Sequence, residues 1–396
     1  MERLNNNEKA LLTLVRAGLW KEEAQLKPYS SIDYASLMQL AEEQSVVGLA
    51  TAGFEQVKDS QIPKEWTLQF IGSTLQIEQR NKEMNAFVAD LISRMRRAGI
   101  YTLLVKGQGI AQCYEKPSWR ACGDVDLFLS DDNYEKAKAF LIPLASAVEK
   151  EYEREKHLGM TINGWVVELH GRLYSGLSSR IERELDEVQK DTFYGEAVRS
   201  MTIKGSWTSQ ATKSSARLMV NGSTSESSVQ VFLLKVENDV FYVFTHILQH
   251  FYKEGVGLRQ ICDWCRLLWT YRDKFDMKLL ESRLRKAGLM SEWRAFGAYA
   301  VEYLGMPAEA MPFYSDGGRW KRKAKRINKF VLNVGNMGHN RENSYRKYPY
   351  LIRKCFSAFR RMGDLFNHAM IFPLDSFRFS FAIMRNGVKS AIKGEG

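Results

Sequence analysis

The run Gly123-Asp124-Val125-Asp126-Leu127-Phe128-Leu129 constrains this chain more than any other segment. Two carboxylates stand two residues apart inside an otherwise apolar, strand-like stretch. Strand side chains alternate faces, so Asp124 and Asp126 share one face while Val125 and Leu127 turn into a core. Neighbouring anions on an apolar sheet repel each other and are costly to desolvate. A cation between them removes that cost, and hard oxygen ligands suit Mg²⁺. A solvent-facing strand edge with two ordinary aspartates would satisfy the same pattern, so the flanking chain has to decide.

Upstream, Ile100–Val105 is a short apolar run that stops at Lys106-Gly107, and Gln108–Tyr114 reads as the start of a helix. A helix start after glycine presents free N–H groups and a positive dipole end, which suits phosphate, and Lys106 adds a cation. Gly107 and Gly109 alone are a weak signal, and a plain strand-to-helix connection has the same look. Downstream, Met160–Leu169 holds Asn163-Gly164 between two β-rich runs, a sequence that favours a type I′ hairpin turn. That register pairs Ile162 with Trp165 and Gly159 with Glu168. Trp165, Val167 and Leu169 then share one face, and Val166, Glu168 and His170 the other. Glu168 stands opposite a glycine, with no side chain expected beside it, and is the candidate third carboxylate.

The lysine-glycine turn, the Asp-x-Asp strand and the third strand carboxylate together resemble the polymerase-β-like nucleotidyltransferase superfamily. More narrowly, the chain resembles a bacterial family of uncharacterised nucleotidyltransferases, in which a Leu-Lys-Gly element precedes Arg-x-x-Gly-Asp-x-Asp-Leu. Those elements stand here as Leu104-Val105-Lys106-Gly107 and Arg120-Ala121-Cys122-Gly123-Asp124-Val125-Asp126-Leu127. The later Glu-Leu-His element is Glu168-Leu169-His170, and the histidine-bearing helix and its following aspartate are similar to His246, His250 and Asp263. The resemblance covers most of residues 30–310, and its specific part is 104–127. The superfamily usually carries Gly-Ser or Gly-Gly at the phosphate turn; with Lys106-Gly107 here, the serine contact to triphosphate does not carry over.

The resemblance implies an α+β fold, a small mixed β-sheet core flanked by N-terminal and C-terminal helical regions. It implies Mg²⁺-dependent transfer of a nucleoside monophosphate from an NTP, ATP for preference, to an acceptor hydroxyl. Asp124, Asp126 and Glu168 would be the catalytic and metal-holding residues of a two-metal site, which stabilises both attacking and leaving oxygens. Lys106, Gly107, Arg120 and Gly123 would bind the nucleotide phosphates, Arg120 through its bidentate fork. Glu168 would also serve as base if the acidic cluster raises its proton affinity. Glu168 turned away from the aspartates, or a basic side chain already occupying the gap between them, would end the case for this reading. The acceptor is open: a small hydroxylated molecule or sugar first, with protein, RNA or a non-catalytic nucleotide-binding scaffold as alternatives.

Composition sets outer limits. At 396 residues, 45 % hydrophobic and 26 % charged, the chain reads as a soluble globular protein with room for two or three domains. No apolar run approaches the ~20 residues that span a bilayer, and the first residues lack a secretion signal's pattern. Five scattered cysteines argue for a reducing, cytoplasmic setting, and Cys262 and Cys265 read as core thiols. His246 and His250 share a helix face, but no glutamate of a metalloprotease helix stands between them, so a core role fits.

The net charge of +11 is concentrated: residues 319–361 carry 14 Lys or Arg against Glu342, so the remainder sums to −2. Interleaved aromatics there suggest an anionic substrate, RNA or an acidic membrane surface, or simply a solvated face. Along the chain, 1–98 reads as helices, with Leu75, Ile77, Met84, Phe87, Leu91 and Ile92 on one apolar face. Residues 99–235 form the core, with a capping box at Asp132/Glu135 and a Ser/Thr-rich long exposed loop or irregular hairpin at 205–228. Helical patterns resume at Val229 for a 236–310 helical domain with stops at Gly288 and Gly305, and 311–396 is basic and aromatic.

Overall fold

The computed structural model describes residues 5–29, 31–153, 155–195, 198–205, 227–335 and 363–392. The N-terminal part is helical, as its periodicity implies: α1 (Asn6–Trp20), α2 (Tyr34–Glu43), α3 (Val47–Phe54) and the 34-residue α4 (Lys64–Arg97). Asn5 and Glu8 close a capping box on α1, and Asp33 caps α2, satisfying amide groups that have no partner inside the helix.

The sheet comprises β1 (Leu103–Val105), β2 (Val125–Phe128), β3 (Ala147–Val148), β4 (His157–Ile162), β5 (Trp165–His170), β6 (Val198–Gly205) and β7 (Ser227–Leu234) in the order β3-β4-β5-β2-β1-β7-β6. It is mixed: β2 runs parallel to β5 and β1 parallel to β7, while the other neighbours are antiparallel. Between strands lie α5 (Gly107–Ala111), α6 (Asp131–Leu141) and α7 (Ser179–Tyr194). Then follow α8 (Val236–Lys253), α9 (Leu258–Thr270), α10 (Met277–Ala287), α11 (Met290–Leu304), α12 (Gly318–Val334) and α13 (Pro373–Ile392).

Both faces of the sheet are covered, and alternation along the strands assigns each side chain to one of two cores. Leu104, Val125, Leu127, Val167 and Leu169 pack with Met84, Val88, Leu91 and Met95 of α4 and with Tyr134 and Ala137 of α6. Leu103, Val105 and Phe128 turn to the opposite core, built on α8, α9 and α11 around Phe244, Trp264 and Trp293. The two aspartates belong to that second face, so the site lies between the sheet and α8. Gly288 and Gly305 take left-handed conformations as helix C-caps, as expected.

Four local expectations are corrected. Ser227–Leu234 is a strand rather than a helix start, because pairing with β1 and β6 overrides an apolar run that either periodicity could fit. Leu75 is exposed, lying off the buried stripe of α4. The cap of α6 is Ser130 in extended conformation, so Asp132 falls in the first helical turn, where its charge suits the dipole. The first phosphate-turn helix, α5, is a single turn ending at Ala111. The Ser/Thr-rich segment lies mostly outside the described residues, although β6 and β7 on its two sides pair antiparallel. Cys262 and Cys265 are buried free thiols, with burial pushing both thiol pKa values up. Among the described residues, no helix is long and apolar enough to cross a membrane.

Candidate active site

Strand register assembles the acidic cluster. β2 lies between β1 and β5, with Asp126 directly opposite Val105 on one side and Glu168 on the other. The hairpin that delivers Glu168 forms as expected: Asn163 (φ 51°) and Gly164 (φ 81°) make the two left-handed positions of the turn, Ile162 pairs with Trp165, and Gly159 with Glu168. The space over Gly159 is not open, however. A Cβ there would lie 2.5 Å from Oε2 of Glu149, an exposed side chain that lies over the glycine.

One carboxylate oxygen from each of Asp124, Asp126 and Glu168 lies within 4.8 Å of the others. The gap between them does contain basic groups. Lys106 follows β1 directly, and its Nζ lies 2.7 Å from Oδ1 of Asp126. His170, two residues after Glu168, lies with Nε2 2.9 Å from the same oxygen and 3.5 Å from Oε2 of Glu168. His157, the cross-strand partner of His170, reaches the same Glu168 oxygen at 3.2 Å. Lys106 has a positive φ of 56°, a conformation costing a non-glycine residue about 1–3 kcal/mol and held only where the surroundings fix it.

The electrostatics follow from this packing. The charge of Asp126, then burial, raises the proton affinity of Asp124. Burial acts the same way on Glu168, but hydrogen bonds from His157 and His170 and the Lys106 charge outweigh it and hold the carboxyl well below the usual range. The expected raised affinity at Glu168 is therefore found at Asp124 instead. Burial disfavours the charged forms of His170 and Lys106, yet the adjacent carboxylates outweigh it and raise the proton affinity of both. His246 is pushed the other way, by burial and the Lys106 charge, and stays neutral; its Nε2 lies 3.0 Å from that of His250. Neither histidine belongs to the carboxylate cluster.

Lys106, Gly107, Arg120, Asp124, Asp126 and Glu168 all line one cleft of about 310 Å³, whose far wall comes from α8 and α9. Gly123 lies beside it, exposed, with nothing within 4 Å of where a Cβ would stand. Arg120 reaches the cleft but its charge is committed. Its Nε and Nη2 bind the two oxygens of Asp263 at 3.0 and 2.6 Å, and the Tyr114 hydroxyl donates to the same carboxylate at 2.7 Å. The family-like Asp263 is thus a buried structural counter-ion. Arg259, on the first turn of α9, is the cation that sequence reasoning missed. It lines the cleft, lowers the proton affinity of Asp124, and donates to the Ala121 carbonyl, while its buried Nε has no hydrogen-bond partner. No motif marks it; only the docking of α9 beside the sheet brings it there.

No curated protein and no solved structure matches the chain. A family described as uncharacterised nucleotidyltransferase matches residues 30–305, a span that runs from α2 through the sheet to α11 and contains the whole acidic cluster. With that match over most of its length, the chain belongs to the uncharacterised nucleotidyltransferase family.

Proposed function

We propose that this protein transfers a nucleoside monophosphate from an NTP, ATP for preference, to a hydroxyl on a small molecule or sugar, with Mg²⁺ as cofactor. The observation that carries the reading is the convergence of Asp124, Asp126 and Glu168 from two adjacent parallel strands onto the wall of a cleft that also holds Lys106 and Arg259. An all-oxygen set of three carboxylates fits a hard divalent ion. Oδ1 of Asp126 already carries Lys106 and His170, so an ion held by that oxygen competes with them. Bound there, Mg²⁺ would neutralise phosphate charge and polarise the α-phosphoryl group.

The protein's own groups supply the rest. Lys106 and Arg259 hold the triphosphate and the departing pyrophosphate, with Gly107 leaving room at the turn. Glu168, kept ionised by His157 and His170, acts as ligand and electrostatic anchor more than as base. Asp124 completes the ligand set beside Asp126, and the acceptor hydroxyl gives up its proton to solvent at the open cleft. The acceptor oxygen bonds to the α-phosphorus as the bond to the bridging oxygen breaks, and pyrophosphate leaves. One observation favours a second reading, a nucleotide-binding protein without transfer: the Lys106–Asp126 ion pair satisfies a charge that catalysis needs available.

The test is incubation with α-labelled ATP, Mg²⁺ and panels of sugars, alcohols, protein and RNA. Label on a small hydroxylated acceptor, lost by about 10³-fold in Asp126→Asn with the fold retained, supports transfer. Label on protein or RNA moves the acceptor to a macromolecule. Tight ATP binding with no labelled product in any panel contradicts transfer and supports the scaffold.

A further inference from the structure

The C-terminal helix is apolar on both sides, although a helix docked on a globular core needs only one such face. Its inner side is fixed: Phe379 packs on Tyr252 with ring centroids 4.9 Å apart, and Ser376 and Phe379 are buried. The preceding residues anchor it further, with His368 against Phe251 at 4.6 Å and Phe330 at 4.8 Å. The outer side carries Leu374, Phe377, Phe381 and Met384 at helical spacings of three and four. Phe366 and Met370 extend this stripe, and the six side chains are between 47 and 85 % exposed. Isolated exposed apolar residues are ordinary on a protein surface; six within twenty residues, four of them on one helix face, are not.

A cationic surface adjoins the row. Arg319, Arg322, Lys325 and Arg326 are exposed on α12, and Arg378 and Arg385 flank the stripe on α13 itself. The two helices touch where these surfaces meet. The Arg326 guanidinium donates to the carbonyl of Met370, a stripe residue, and the Lys323 ammonium lies 4.2 Å from the Phe372 ring centroid. Residues 319–329 of α12 carry seven Lys or Arg and no Asp or Glu, so a positive field adjoins the apolar ridge.

We infer that this ridge docks the protein on an anionic lipid bilayer, with the Phe, Leu and Met side chains entering the headgroup–acyl boundary and the α12 cations facing the lipid phosphates. An interfacial helix combines just these two contributions, apolar insertion and attraction to acidic lipid. A second copy of this chain is disfavoured as occupant, since pairing the ridges would bring two cationic surfaces together. Nucleic acid would satisfy the cations but leave the hydrocarbon of Met370, Leu374 and Met384 in water. The inference does not depend on nucleotidyl transfer, and neither the ridge nor α12 contributes a residue to the cleft.

The test is flotation of the full chain with phosphatidylglycerol-containing vesicles and with pure phosphatidylcholine vesicles. The wild type floats with the anionic vesicles and at least about tenfold more weakly with the zwitterionic ones. Phe377→Ser/Phe381→Ser lowers affinity by at least about tenfold with an unchanged melting temperature, and Arg322→Glu/Lys325→Glu lowers it comparably. Four results would overturn the inference. The wild type could fail to float. The serine variant could float like wild type. RNA could bind wild type and serine variant equally, with neither floating. A wild-type dimer could become monomeric in the serine variant, with neither floating, which would identify a self-interface.

Discussion

Arg120 and Arg259 both reach the cleft, yet their surroundings give them different work. Arg120 and Asp263 form a buried bidentate pair, and removing one partner of such a pair strands the other without solvent. Arg120→Met is therefore expected to lower unfolding free energy by about 3–5 kcal/mol, measured by urea titration. Arg259 has no carboxylate partner among the described residues, so Arg259→Met is expected to leave the urea midpoint unchanged. It should weaken nucleotide binding by about tenfold or more, the worth of a charge-assisted hydrogen bond, measured by calorimetric titration. Sequence spacing pointed to Arg120 because it stands beside the Gly-Asp-x-Asp run. The partner that neutralises it lies far along the chain, on α9, and spacing carries no information about that encounter. Asp124, Asp126 and Glu168 were legible for the opposite reason: strand alternation and one hairpin register fix their positions with few choices.

At the scale of elements, the β4–β5 hairpin shows how local chemistry builds the site. Asn163-Gly164 sets the turn, the turn sets the register, and the register places His157, Glu168 and His170 on one face. Gly164 has φ 81°, which a β-branched residue adopts only under strain. Gly164→Val is expected to cost about 1–2 kcal/mol in thermal unfolding. Nucleotide affinity should fall along with stability, because three cleft residues depend on that register. Of the strand pair β6–β7, a hairpin about the Ser/Thr-rich segment was legible as one alternative, but the extent of its strands was not. The apolar run Val229–Leu234 suits helix or strand equally, and what decides it is pairing with β1, more than a hundred residues earlier. Helices α8 to α11 were legible because each has an apolar helical pattern, and α10 and α11 are closed by glycine at their ends.

Across the whole molecule, the sheet is held between α4 and α6 on one side and the helices around α8, α9 and α11 on the other, and the cleft opens along that second junction. Helix α11 of that second layer carries the C-terminal ridge through a buried contact. Glu292 of α11 is fully buried and faces Asp375 of α13; burial first, and the Asp375 charge second, push its carboxyl pKa well up. A carboxyl raised on folding contributes its stabilisation fully below its ordinary value of 4.5 and loses it as pH rises toward the folded value. Glu292→Gln removes that dependence. The variant is expected to melt about 5 °C above wild type at pH 8 and to match it near pH 4, measured by scanning calorimetry; a constant gap at both pH values would contradict it. The account rests most heavily on the three carboxylates holding a divalent ion beneath a nucleotide. Anomalous diffraction from crystals soaked with Mn²⁺ and a non-hydrolysable ATP analogue tests that directly. A peak bounded by Asp124, Asp126 and Glu168, with Lys106 turned from Asp126 to the triphosphate, is the predicted result; no peak there, with Lys106 still on Asp126, contradicts it.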